Sequence, residues 1–144
     1  MANIVCATRG GAGSRAVQQA AITYAREKGS ELVFLFVIDT SSVEGEEEEL
    51  VSAVRDELYF LGQTLLRIAK KRAANHHVEA EIVVREGIVR EQITGFLEES
   101  GAELLLLGAP RGTSDAIFGD DVIEQFAEAI CRDTGVEVEI IRPT

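Results

Sequence analysis

The feature that most constrains the fold is a run of four leucines at residues 104–107, followed by a glycine-rich segment that extends to Asp121. The run is too short to span a bilayer and contains no alternating polar residue, so it predicts a strand buried on both faces of a parallel sheet. Ligands of open α/β sheets bind beyond the carboxyl ends of the strands, where small residues expose backbone N–H groups to phosphate. We therefore expect a binding site at residues 108–121.

The other apolar segments complete an α/β pattern. Residues 4–7 and 32–38 are apolar runs, whereas residues 78–84 and 136–141 alternate with polar residues. Helical periodicity separates them and predicts the order β-α-β-α-β-α-β-α-β, which calls for a parallel sheet with right-handed crossovers. Alternation marks strands that helices cover less completely, so strands three and five are the predicted edges. The predicted fold is a three-layer, doubly wound, five-stranded sheet in the order 3-2-1-4-5, with helices on both faces.

Length, charge and cysteine content limit the class of protein. A chain of 144 residues is expected to form a single domain, 1–144, with one buried core. The formal charge of −11 disfavours nucleic acid and anionic membranes as partners. We expect a cytoplasmic protein, because no signal peptide or membrane-spanning run is recognisable. Cys6 and Cys131 lack the spacing of metal ligands and are expected to be buried and reduced, and His76 and His77 to lie in an exposed turn.

The order and spacing of these segments resemble the universal stress protein family over nearly the whole chain. The segment Ile-Val-Cys-Ala-Thr-Arg-Gly from Ile4 is similar to the first strand and loop of the family, and residues 32–39 to its second strand. Glu86-Gly87 is similar to the third crossover, and residues 104–141 to the C-terminal half. The resemblance implies a cytoplasmic stress-response protein that forms a homodimer through the last strand, from Val136 to Ile141. An unpaired edge strand suits such pairing.

Many members of this family bind ATP through a motif of Gly, two residues, Gly, nine residues, then Gly followed by Ser or Thr. Here Gly112 follows Gly108 after four positions instead of three, and Gly119 lies eleven positions after Gly108 instead of thirteen. Asp120 stands where the family has a hydroxyl that meets phosphate. A carboxylate at that position adds like-charge repulsion of about 1 kcal/mol or more at ~4 Å. The interpretation we favour is therefore a non-catalytic regulatory domain that holds no cofactor.

Binding of ATP or AMP through a modified loop is the alternative. Arg9 occupies a position where the family usually has an aspartate near the nucleotide, and a guanidinium is a good partner for phosphate. It is also a candidate to pair with Asp120 across the switch point and fill the pocket. The resemblance places the phosphates near the glycines and Asp120, Arg9 and Arg111 as cationic contacts, and the backbone of Val37 near the adenine. The implied binding residues are Thr8, Arg9, Val37, Asp39, Gly108, Arg111, Gly112, Gly119 and Asp120.

Other kinds of function have less support in the sequence. Gly11-x-Gly13-x-x-Ala16 fits a dinucleotide fingerprint with Asp39 as the ribose acceptor, although small residues there also let a helix pack on the sheet. We expect no catalytic residues, because no nucleophile elbow or paired carboxylates are recognisable. We also expect no metal site, since Asp39 and Asp120 are more simply solvated carboxylates than Mg²⁺ ligands. A pure interaction module with an unnamed protein partner is the remaining alternative.

Overall fold

The sheet has the predicted architecture. The computed structural model describes residues 3–8, 12–108 and 116–142. Five parallel strands lie in the order β3-β2-β1-β4-β5, which confirms the predicted sheet. The strands are β1 (Ile4–Ala7), β2 (Leu32–Ile38), β3 (Ala80–Glu86), β4 (Leu104–Gly108) and β5 (Glu137–Ile141). The helices are α1 (Ala12–Lys28), α2 (Glu48–Asn75), α3 (Val89–Ser100) and α4 (Ala116–Thr134), and a short 3₁₀ turn covers Ser41–Val43.

Strand composition explains strand position. β1 pairs with both β2 and β4, and Ala7 lies in register with Leu35 on one side and Leu107 on the other. Every residue of β4 except the last is buried, as expected for a strand covered on both faces. Most residues of β3 and β5 are only half-buried or are exposed, because each of these strands has a neighbour on one side only. The alternating polarity of these two segments thus correctly predicted the edges.

Helices cover both faces of the sheet and create two cores. The core on the α1 and α2 side includes Phe34 of β2 and Leu66 of α2. The core on the α3 and α4 side includes Leu105 of β4 and Ile130 of α4. The helices that precede β3 lie on one face of the sheet, and those that follow it lie on the other. Right-handed crossovers that reverse direction at a switch point require this change of face.

One of three predicted helix ends is correct and two are wrong. Gly101 ends α3 with a positive φ of 67°, as the sequence indicates. Ser14, predicted to cap the first helix, lies inside α1, because the helix begins two residues earlier at Ala12. α4 begins at Ala116, so Gly119 and Asp120 have helical backbone, whereas the sequence predicted a loop that continues to Asp121. The apolar residues at 117 and 118 continue the helical spacing of the later apolar positions.

The two cysteines occupy different environments. Cys6 is fully buried in β1, and burial raises the pKa of its thiol well above the usual range. Cys131 is exposed, so the expectation that it would be buried is wrong. Cys131 directly follows the buried Ile130 but points away from the core. Its position near the end of a helical pattern does not show which way its side chain points. His76 and His77 are exposed in the turn after α2, as predicted.

No helix in the described part of the chain is long and apolar enough to cross a membrane.

Candidate functional site

The carboxyl edge of the sheet brings the ends of β1 and β4 together. Ala7 is in register with Leu107, so Thr8 and Gly108 follow a matched pair and lie side by side, with Gly108 still paired to Ile141 of β5. The backbone N–H of Thr8 donates to the carbonyl oxygen of Leu35 at 2.9 Å, which fixes Thr8 against β2 as well. Strand order reverses between β1 and β4, and this is the position where open α/β sheets bind ligands. The segments that follow these two strands therefore start next to each other.

A chain of buried hydrogen bonds holds Thr8 in place. Gln18 of α1 donates from Nε2 to Oγ1 of Thr8 at 3.1 Å, and both residues are almost completely buried. Oε1 of Gln18 in turn accepts from Nη1 of Arg72 in α2 at 2.9 Å. The end of β1 is thus connected to both helices on one face of the sheet. This role of Gln18 and Arg72 was not predicted. The available signal was a glutamine on the otherwise apolar inner face of α1.

Asp39, which directly follows β2, already has local hydrogen-bond partners. Its Oδ1 accepts from the backbone N–H of Ser41 at 2.9 Å. The hydroxyl and then the backbone N–H of Ser41, and more weakly the N–H of Val89, lower the pKa of Asp39, while desolvation opposes this shift. Val89 is the first residue of α3, so the carboxylate lies at the positive end of that helix. These contacts give Asp39 a structural role in joining the end of β2 to α3.

Val37 lies two residues before Asp39 and is half-buried against the core under α3 and α4. Its partner in β3 is Arg85, whose Nη2 donates to Oε2 of Glu99 at 2.8 Å. The guanidinium of Arg85 also lies 5.6 Å from the ring centroid of Phe96, within the range of a cation–π interaction. The backbone around Val37 is therefore held by packing on α3.

Comparison with known proteins identifies the family. The model of the universal stress protein family matches residues 1–133. The chain belongs to the universal stress protein family. Universal stress protein YxiE of Bacillus subtilis (strain 168) is 32% identical over 103 residues, which span 66% of this chain and 69% of that protein.

Solved structures of the family have the same fold. Universal stress protein UspA from Lactobacillus plantarum superposes with a TM-score of 0.83 at 17% identity, covering 98% of this chain and 97% of that one. A universal stress protein in complex with cAMP has a TM-score of 0.69 at 20% identity, with 99% and 98% covered. The universal stress protein from Archaeoglobus fulgidus in complex with dAMP has a TM-score of 0.63 at 15% identity, with 98% of each chain covered. At these identities the likeness shows the fold alone.

Six of the nine implied binding residues belong to the described part of the chain, and they fall into two groups. Thr8, Val37, Asp39 and Gly108 lie at or just beyond the carboxyl ends of β1, β2 and β4. Gly119 and Asp120 contribute backbone to the first turns of α4. The other three, Arg9, Arg111 and Gly112, lie outside the described residues. The predicted contact between Arg9 and Asp120 therefore also lies outside them.

The described residues hold no group of three or more His, Cys, Asp or Glu side chains that could bind a metal ion. An open groove of about 1010 Å³ lies at the amino ends of β2 and β3. Its lining residues include Arg26, Lys70 and His77. Its position separates it from the ends of β1 and β4. The groove is thus distinct from the site that the sequence predicts.

Proposed function

We propose that this chain is a non-catalytic, cytoplasmic stress-response protein, one domain over residues 1–144, that does not bind ATP in the conventional way of its family. It acts as a homodimer through the edge strand from Val136 to Ile141. The observation that carries the proposal is the altered phosphate segment, two residues shorter than the family motif and with Asp120 in place of a hydroxyl. The helical backbone of residues 116–120 supports it.

The helix start at Ala116 matters because only the first N–H groups of a helix are free to bind phosphate. The N–H of Asp120 follows four helical residues, so the helix itself supplies its acceptor. The carboxylate of Asp120 also repels an anion in this region. Both effects reduce binding of a triphosphate that carries several negative charges, and the overall charge of −11 acts in the same direction.

Binding of an adenine nucleotide with a single phosphate is the second candidate function. It is favoured by two structural neighbours, one solved with cAMP and one with dAMP. A monophosphate carries less charge than ATP and needs a shorter phosphate segment. We infer that such a ligand would place its phosphate near Thr8 and Gly108, with Arg9 and Arg111 as cationic contacts and the backbone of Val37 near the adenine.

Titration calorimetry with ATP, AMP and cyclic AMP tests these proposals. We expect only weak binding of ATP, without saturation, and, under the second candidate function, a saturable signal with AMP or cyclic AMP. Asp120→Ser restores the hydroxyl of the family motif and is expected to strengthen ATP binding about fivefold or more, the equivalent of ~1 kcal/mol. Asp121→Ser removes the neighbouring carboxylate and serves as the matched control, with no such gain expected. Tight ATP binding by the unmodified protein would contradict the main proposal.

A further inference from the structure

The outer face of α2 carries most of the exposed apolar surface. In the described part of the chain, six large hydrophobic residues are at least 44% exposed, and five of them belong to α2. These five are Leu50, Tyr59, Phe60, Leu61 and Ile68. Phe60 is the most exposed, at 71%. The inner face of the same helix already packs on the sheet through Leu66 and Ala69, so the exposed residues are additional to the core contact.

Four of the exposed residues lie on the outer side of the helix, whereas Tyr59 is half a turn away from Leu50 and Ile68. Leu50, Leu61 and Ile68 are separated by 11 and 7 residues, close to three and two turns, and therefore lie on one face. Phe60 is rotated about 80° from Leu50 and Ile68 around the helix axis, on the side away from Leu66 and Ala69. Because α2 runs from Glu48 to Asn75, its midpoint falls at residues 61–62. The apolar surface thus extends to both sides of the helix midpoint.

Charge is distributed unequally along the same helix. The first 14 residues contain four acidic side chains and one arginine, Arg55, which pairs with Glu86 at 2.9 Å. The last 14 residues contain four basic side chains and no acidic one. The helix dipole accounts for such charges only in the first and last turns, whereas Asp56, Glu57 and Arg67 lie further in. The acidic residues are Glu48, Glu49, Asp56 and Glu57, and the basic ones of the second half are Arg67, Lys70, Lys71 and Arg72.

We propose that α2 is a docking surface for α2 of a second copy of this chain, packed antiparallel about a two-fold axis near Phe60 and Leu61. A two-fold interface uses the same patch on both partners, so the patch must be complementary to itself. In the antiparallel arrangement the acidic half of each helix faces the basic half of the other, and the apolar middle meets its own copy. Asp56 and Glu57 then face the region of Arg67. A parallel arrangement would instead place like charges together.

The partner is a second copy because acidic residues dominate the first half of α2 and basic residues the second, so two antiparallel copies present opposite charges to each other. A different partner would need only a complementary surface, and would not require opposite charges in the two halves of one helix. α2 packs on β2 and β3, whereas β5 lies at the other edge of the sheet. The two contacts can therefore form independently, and together they would build an assembly larger than a dimer.

Paired charge reversal tests this proposal. Asp56, Glu57, Arg67 and Lys71 are exposed, and no salt bridge or hydrogen bond joins their side chains to another described residue. Their reversal should therefore preserve the fold, which circular dichroism would verify. Asp56→Lys/Glu57→Lys gives both halves a net positive charge. Arg67→Glu/Lys71→Glu leaves the second half with two acidic and two basic side chains, so each variant loses the attraction between unlike halves. Each variant alone should lose the α2 contact, whereas an equimolar mixture should form a mixed complex in native mass spectrometry. A mixture with only the masses of the separate variants would overturn the proposal.

A second pair of variants tests the apolar centre. Phe60→Ser should weaken the contact about tenfold or more, as expected for a buried aromatic anchor. At a concentration where the unmodified protein is assembled, the variant should be a monomer, or the β5 dimer if that contact also forms. Ile88→Ser removes an equally apolar side chain, 57% exposed but outside α2, and should leave the mass unchanged. An unchanged mass for Phe60→Ser, or a monomeric unmodified protein, would contradict the proposal.

Discussion

The side chain of Gln18 donates a hydrogen bond to Oγ1 of Thr8 at 3.1 Å in an almost fully buried environment. Thr8 is the residue at which the chain leaves β1, and Gln18 belongs to the helix that the chain enters next. The bond therefore connects the two sides of the segment between β1 and α1. Arg72 extends this connection to α2, so one edge of the candidate site is held by both helices on that face.

Loss of this hydrogen bond should destabilise the protein. Gln18→Leu is expected to lower the free energy of unfolding by about 1–3 kcal/mol, because it leaves the buried hydroxyl of Thr8 without its donor. The coupling free energy between the two side chains should be about 1 kcal/mol. It is measured by urea unfolding of Gln18→Leu, Thr8→Val and the double variant. Additive effects of the two substitutions would show that the hydrogen bond contributes nothing to stability.

Gly62 allows α2 to approach β2 closely. A Cβ at this position would lie 2.8 Å from Cε2 of the buried Phe36 and closer still to Cδ2. We expect Gly62→Ala to cost about 1 kcal/mol net, because overpacking of a core exceeds the gain in helix propensity. Gly95→Ala in α3 is the matched control. Its Cβ would meet only Oε2 of Glu99 at 3.8 Å, so it should gain up to about 1 kcal/mol. Stabilisation by both substitutions would contradict this prediction.

The hydrogen bonds of Asp39 predict a specific dependence of stability on pH. They lower its pKa below the usual 3.8, so ionised Asp39 stabilises the fold at neutral pH, and this contribution disappears as the pH falls through the folded-state pKa. Asp39→Asn keeps the shape but not the charge, and should cost about 0.5–1 kcal/mol at pH 7. The difference in urea midpoint between the unmodified protein and Asp39→Asn should disappear below pH 3.8. A difference that persists unchanged in acid would exclude this role.

Proline substitutions test the proposed dimer through β5. Backbone N–H groups alternate in direction along a strand, so of residues 138 and 139 one donates toward β4 and the other toward the open edge. The proline variant at the residue whose N–H points toward the open edge should therefore lose the dimer, and it should be as stable as the alanine variant at the same position. Val138→Ala and Glu139→Ala are the controls, since they lose the same side chain but keep the N–H. Equal assembly masses for each proline variant and its control would argue against pairing through this edge.

Much of the fold could be predicted because it depends on local composition. The uninterrupted leucines of β4 and the alternation in β3 and β5 report directly how many faces of each strand are covered, and this determined the strand order. The start of α4 at Ala116 was missed, because glycine and aspartate at 119 and 120 are typical of loops yet tolerated inside a helix.

The side-chain contacts of the site could not be predicted from sequence pattern. The bond of Gln18 to Thr8 joins residues ten apart, and the bond of Arg72 to Gln18 joins residues 54 apart. Such contacts depend on how helices pack over the sheet, and a single sequence does not contain that information in its periodicity. The local partner of Asp39, only two residues away at Ser41, is by contrast a common turn pattern.

The most direct test of the account is to denature the purified protein and identify any nucleotide that it releases. Because a carboxylate and a shortened segment replace the family's phosphate-binding motif, we predict that no ATP is released, and that any nucleotide present carries a single phosphate. ATP released in a one-to-one ratio with the protein would contradict this account.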